Sequence, residues 1–424
     1  MKRAANRGRG AVRTTARLVS VAAATARVAG AALVHPGRAG DAAADALVRA
    51  VESLGGAYIK VGQLLATRSD LIGPRLAHRL SRLQDDVAAM STTDALAVLD
   101  RTRPPLPASA YAAVAKGPVA SGSIACVYRW EPEPGAAPVA LKLRRPDAAA
   151  TVPVDTAMLR WCARLCAKTP WMRSSPVVAI VDDLCAAVLN QLDLDRERVM
   201  LTRLREALKD EARIVIPAPV DEYSNAELLA MEFITGLDRQ MFATAAPSLR
   251  DEGITTLVRA MYELVFVHGF VHIDLHQGNA YLLPDGRLVL LDVGFAHVLS
   301  EFSRERFTRF FGGMVTGRGQ ECAEILLTTT KGVDHHGQNL ARFQAKVVRL
   351  VEESAELDVA SFSVPRFAAR LFQIQQSNGY YAEPEMMFPL LCLIALEGTV
   401  NELAPHMDFQ IEAAPYIMSS LIDQ

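Results

Sequence analysis

Between residues 42 and 90, apolar side chains recur at every third or fourth position, which predicts a run of helices. Prolines at 104, 105 and 107 then break the pattern and mark 101–109 as a linker. Beyond it, the short apolar runs 113–120, 124–130 and 138–144 read as strands. Helical spacing returns over 155–168 and again over 177–208. Two more strands are expected at 214–217 and 228–234, the second running into a hinge, Met231-Glu232-Phe233-Ile234-Thr235-Gly236. From Ser248 to the end the pattern is helical, with loops expected near Gly317 and Gly332. The exception is the stretch from His268 to Ala296, where the apolar run 288–291 and the turn Pro284-Asp285-Gly286 predict a hairpin. No repeat of fixed period interrupts this order.

That hairpin carries the chemistry. His272, Asp274 and Asn279 stand as H-x-D-x-x-x-x-N, and Asp292-Val293-Gly294 follows the second strand. Phosphoryl transfer needs one carboxylate near the incoming nucleophile, with an amide oxygen and a second carboxylate to hold Mg²⁺ against nucleotide phosphates. Each residue alone is an ordinary turn former; together at this spacing they describe a kinase-type active site. Ala120, Ser121, Gly122, Ser123, Ile124 and Ala125 form a small-residue turn that lets backbone N–H groups approach phosphates. Lys142, in Val139-Ala140-Leu141-Lys142-Leu143, stands where kinases carry a strand lysine that grips the α- and β-phosphates. Glu197, on the helix that follows, is the expected carboxylate partner of Lys142. The hinge backbone around Glu232 and Ile234 is the expected adenine contact.

Composition adds limits. At 424 residues the chain is long enough for two or more lobes or domains. A net charge of −2 selects no acidic or basic partner, but Lys2, Arg3, Arg7, Arg9, Arg13, Arg17 and Arg27 all precede the first acidic residue, Asp41. That start reads as a solvated tail, a membrane-surface helix or a nucleic-acid arm. Residues 18–34 are apolar but alanine-rich and broken by Arg27, so neither a membrane span nor a secretory signal is expected there. The six cysteines make no C-x-x-C pair and read as thiols in a reducing compartment, and the expected location is cytoplasmic.

Set in order, these pieces resemble the UbiB/AarF family of atypical kinase-like proteins, from about Leu54 to the C-terminus. The most specific mark is Lys60-Val61-Gly62-Gln63, similar to the family's K-x-G-Q element, on a helix that ordinary protein kinases lack. The loop 120–125, Lys142, the stretch 272–279 and the C-terminal ALEGTVNELAPHMDF also resemble family motifs. The resemblance implies an α+β, kinase-like two-lobed fold, with a small β-rich N-lobe, a helical C-lobe and a helical extension over the active site. Segments of 1–41, 42–106, 107–236 and 237–424 follow as tail, extension, N-lobe and C-lobe. It further implies ATP and Mg²⁺ as cofactors, work in quinone or isoprenoid-lipid metabolism, and a prenylated or lipid-like small molecule as substrate. Peripheral membrane contact through the basic N-terminus and a homodimer are candidate associations; no nucleic-acid partner is expected.

Departures qualify the match. The family's E-x-D element appears as Gln191-Leu192-Asp193, leaving a Lys60 partnership to Asp193 alone. Gln277 stands in place of a proline, and Val293 in place of the aromatic residue of D-F-G. Gly62, in mid-helix at a cost of roughly 1 kcal/mol, suggests that another backbone or a ligand passes close by. The assigned roles are Asp274 as base, Asn279 and Asp292 as metal ligands, and His272 as a brace for the loop, with His276 structural. The rival readings are a nucleotide-sensing scaffold and, further off, a small-molecule phosphotransferase of the aminoglycoside-kinase type.

Overall fold

A computed structural model describes residues 39–66, 74–80, 83, 88–168, 177–273, 275, 278–332, 338–357 and 361–422, with scattered positions between 17 and 30. The chain divides into two compact units, one of residues 1–198 and 219–233, the other of 199–218 and 234–424.

The first unit is built on an antiparallel sheet whose described strands run in the order Ala120–Ser121, Ala125–Trp130, Val139–Arg144 and Leu228–Glu232. Strand alternation turns Tyr128, Trp130, Leu141 and Leu143 into a core closed by the helices Thr92–Arg101 and Ala108–Ala115. That second helix corrects the strand expected at 113–120. Alanine is the best helix former, and an Ala-rich run whose Ala110, Ala113 and Val114 meet the sheet wins as a helix. Trp130 Nε1 donates to Ser109 Oγ at 3.0 Å and fixes where the helix sits.

The helical stretch before it resolves into Ala39–Leu54, Gly56–Ala66 and Pro74–Leu80, the first two separated by Gly55 in the left-handed region at φ +62°. A Cβ on Gly62 would lie 2.7 Å from Leu83 Cδ1 and 3.3 Å from Val51 Cγ1. What passes close is therefore a set of packed side chains, not the backbone or ligand expected from the sequence. The helix expected at 155–168 starts earlier, as Pro146–Cys166, because a proline in the first helical turn has no N–H to waste. The single helix expected over 177–208 is two, Val177–Asn190 and Leu194–Ala207. Asp193 makes the break: its Oδ1 accepts the Asp195 N–H at 3.1 Å, so the residue serves as the cap of the second helix.

The second unit is mainly helical. Tyr262, Phe266, Phe307 and Phe311 interlock at its centre, with ring centroids 5.2–6.3 Å apart. Glu397, buried in the helix Pro384–Leu403, accepts the Val364 N–H at 2.7 Å and so caps the helix Val364–Ser377 from outside. The loop expected near Gly332 is instead a strand, Thr330–Gly332, paired antiparallel with Tyr380–Ala382; neither run is long enough to show alternation in the sequence. Among the described residues, Pro384–Leu403 is long and apolar enough to cross a membrane, but two thirds of its apolar window is buried within the protein.

Candidate active site

In the first unit Lys142 lies on the sheet's third strand, opposite Val127 on one side and Leu229 on the other. Its Nζ meets Glu197 Oε1 at 2.6 Å, and the two side chains are only 11% and 5% exposed. A charge pair this dry costs desolvation that neither group recovers alone, so each holds the other in one place. Glu197 stands in the first turn of the helix Leu194–Ala207, where the helix dipole also favours a carboxylate.

A second set of ion pairs, missed in the sequence, aims that helix. Arg144 donates to Leu192 O at 2.7 Å and to Glu227 Oε1 at 2.6 Å, and Arg101 meets Glu227 Oε2 at 3.0 Å. Burial alone pushes Glu227 upward, yet the hydrogen bonds and charges of Arg101 and Arg144 hold its carboxyl below the usual value. The available signal was the alternation: Arg144 shares the strand face of Lys142.

The small-residue turn is a tight hairpin. Ala120 and Ser121 pair with Val127 and Cys126, and Gly122 N–H donates to Ala125 O at 2.9 Å. Ser123 is buried and Cys126 fully so, while Ala120 is exposed and Ser121, Gly122 and Ile124 are half-buried. Glu232 ends the fourth strand opposite Val139, and the chain passes from the first unit to the second between Phe233 and Ile234.

In the second unit the helix Pro247–Tyr262 gives way to a π-helical turn, Glu263–Val267, before the strand Phe270–His272. His272 is 1% exposed and pairs with Ala296 across the two-stranded ladder. Its backbone also bonds Cys392, whose thiol burial pushes up to about 12. Asp274, His276 and Gln277 lie outside the described residues. The expected hairpin forms, with Ala280–Leu282 against Leu288–Leu290 and Gly286 at φ +84° in the turn. Its register continues to the backbone of Asn279, whose carbonyl accepts the N–H of Leu291, the residue before Asp292, at 2.8 Å.

Asp292 is the one described residue other than glycine with positive φ, at +50°. Its Oδ1 accepts Gly294 N–H at 3.1 Å, a local bond that only a short acceptor side chain makes. Strained backbone of this kind gathers where function over-determines it. An amide and a carboxylate carried by Asn279 and Asp292 make a hard-oxygen donor set. It fits Mg²⁺, which binds through one or two carboxylates and takes its other ligands from phosphates and water. Val293 and Phe295 are both buried, so the positions after the aspartate remain packed without a D-F-G aromatic.

The K-x-G-Q helix, Gly56–Ala66, packs through Ala57 and Val61 against Val188, Leu189 and Leu192 at the end of Val177–Asn190. That contact brings Lys60 to Gln63 to the neighbourhood of Gln191 and Asp193. Gln63 Nε2 donates to Leu83 O at 3.1 Å, while the amide oxygens of Gln63 and Gln191 are buried with no hydrogen-bond partner among the described residues.

Comparison with known proteins identifies a family. The ABC1 atypical kinase-like domain matches residues 82–326. An uncharacterized protein of Synechocystis sp. is 28% identical over 366 residues, covering 84% of this chain and 89% of its own. The Mycobacterium tuberculosis protein Rv3197, solved with erythromycin, aligns over 83% of this chain and 93% of its own at 19% identity, with a TM-score of 0.49.

Proposed function

The chain belongs to the ABC1 atypical kinase-like family, the domain of UbiB-type proteins, and from that premise we propose that it is an ATP- and Mg²⁺-dependent phosphotransferase or ATPase. The observation that carries the reading is the buried Lys142–Glu197 pair at 2.6 Å, the arrangement by which kinase-like folds present a lysine to nucleotide phosphates. In this mechanism Lys142 binds the α- and β-phosphates and Glu197 keeps it aimed. Asn279 and Asp292 would hold Mg²⁺, which when bound offsets the charge on the phosphates. Asp274 orients the incoming hydroxyl or water and takes its proton as the γ-phosphoryl group passes to that oxygen and ADP leaves. Phosphoryl transfer asks mainly for position and charge, and the Lys142–Glu197 pair supports that reading within the first unit. A prenylated or lipid-like hydroxyl compound of quinone or isoprenoid metabolism is the substrate class that the family resemblance favours.

A second reading, a nucleotide-sensing scaffold, draws on one observation. Gln191 replaces a carboxylate and Asp193 is spent as a helix cap, so the K-x-G-Q helix has a rewired neighbour. Phosphate release from MgATP, measured with and without liposomes of anionic lipid and prenylated phenols, separates the two. The catalytic reading expects turnover that disappears in Lys142→Met. Tight MgATP binding with no turnover under any condition would leave the scaffold.

A further inference from the structure

Arg145 follows the lysine strand and precedes the helix Pro146–Cys166. Pro146 holds the residue before it in extended backbone, here φ −65° and ψ 127°. Arg145 N–H donates to Ile124 O at 2.8 Å, which pins the main chain to the tip of the small-residue hairpin. With its backbone so fixed, the guanidinium reaches three acceptors. Nε donates to Gly122 O at 2.7 Å, and Nη2 donates to Ser121 Oγ at 2.6 Å and to Ala88 O at 2.7 Å. Two of these lie in the loop; the third lies on the segment that leads out of the helical extension. Met90, two residues on, adds a parallel tie, its N–H approaching Cys126 Sγ at 3.5 Å.

We propose that Arg145 is a positioning residue that holds the 120–125 hairpin in its nucleotide-binding shape and ties it to residues 88–90 at the end of the extension. One planar fork serving three oxygens is what lysine cannot copy, since a single ammonium has no fixed directions in which to reach them. The hairpin's own bonds, the 120–121 pairing with 126–127 and Gly122 to Ala125, stay within the hairpin; the guanidinium adds a side-chain link from the turn to the helix start and, beside the Met90 tie, to the extension. Releasing it frees the loop without touching Lys142, Glu197, Asn279 or Asp292. The consequence is a loss of nucleotide affinity with the chemical step kept. This deepens the nucleotide reading and rests on it.

The test uses full-length protein, Arg145→Ala and Arg145→Lys, with hydrogen exchange of the 119–126 amides and steady-state ATP kinetics read in parallel. The expected result for Arg145→Ala is faster amide exchange across the hairpin and a KM for ATP raised about ten-fold, with kcat largely retained. Added guanidinium ion should bring KM back towards wild type, a rescue that a general loss of packing would not give. Arg145→Lys should fall between the two and serves as the readout if the alanine variant does not fold. Exchange and KM both equal to wild type in either folded variant would overturn the proposal. If wild-type protein binds no nucleotide, the functional reading fails, while the exchange measurement without nucleotide still decides whether Arg145 holds the loop.

Discussion

At φ +50°, Asp292 occupies a backbone region that costs a side-chain-bearing residue about 1–3 kcal/mol, and part of that is recovered by its bond from Gly294 N–H. Asparagine tolerates the same backbone and makes the same bond, whereas alanine does neither. Asp292→Asn should therefore keep the wild-type denaturation midpoint, and Asp292→Ala should lose about 1–2 kcal/mol. Chemical denaturation of the two variants checks this, and equal losses would show that the backbone is not the constraint. Lys142 and Glu197 differ in kind, being buried charges with each other as partner. Glu197→Gln leaves the ammonium without its counter-charge and should cost about 3 kcal/mol. Lys142 and Glu197 were legible in the sequence because VALK and an acidic helix start carry local signals. Arg145 and Glu227 were not, because their partners lie far along the chain, as with Arg145 and Ala88, 57 residues apart.

Elements explain most of the remaining differences. The hairpin 280–290 was readable because its turn residues and apolar runs are both local. The break at Gln191–Asp193 was not, because helical spacing continues through it, while turn bonds from 191–193 end one helix and the Asp193 cap bond starts the next. Two helical glycines are packing residues. A Cβ on Gly62 would press into Leu83 at 2.7 Å, and one on Gly319 would meet the backbone of Val348 at 2.8 Å. Gly319→Ala should be the worse of the two, since a side chain can move aside and a backbone cannot; an overpacking cost of about 1–3 kcal/mol is expected. Thermal melts that rank Gly62→Ala below Gly319→Ala would contradict that account. The Arg101–Glu227–Arg144 tie gives a pH signature. Its carboxyl is held below the ordinary 4.5, so it adds stability above that pH and loses the contribution as pH falls from 4.5 through the folded value. Melting temperature should drop more steeply below pH 4.5 in wild type than in Glu227→Gln, and identical slopes would remove the tie from the stability account.

For the molecule as a whole, the α+β, kinase-like fold was legible from the order of motifs, and the family match over residues 82–326 agrees with it. The division into units was not, since residues 199–218 and 219–233 sort into different bodies within one continuous stretch of sequence. The proposed site groups divide likewise, with Lys142 and Glu197 in the first unit and Asn279 and Asp292 in the second. A nucleotide enzyme requires both sets, so a variant in either unit should abolish the same turnover. The measurement that tests this most directly is Mg²⁺-dependent ATP turnover by the full-length protein beside Asp292→Asn, whose fold should be intact. The account predicts turnover in wild type and a fall of about 100-fold or more in the variant. Equal turnover in both proteins, or no Mg²⁺-dependent turnover in wild type, would contradict it.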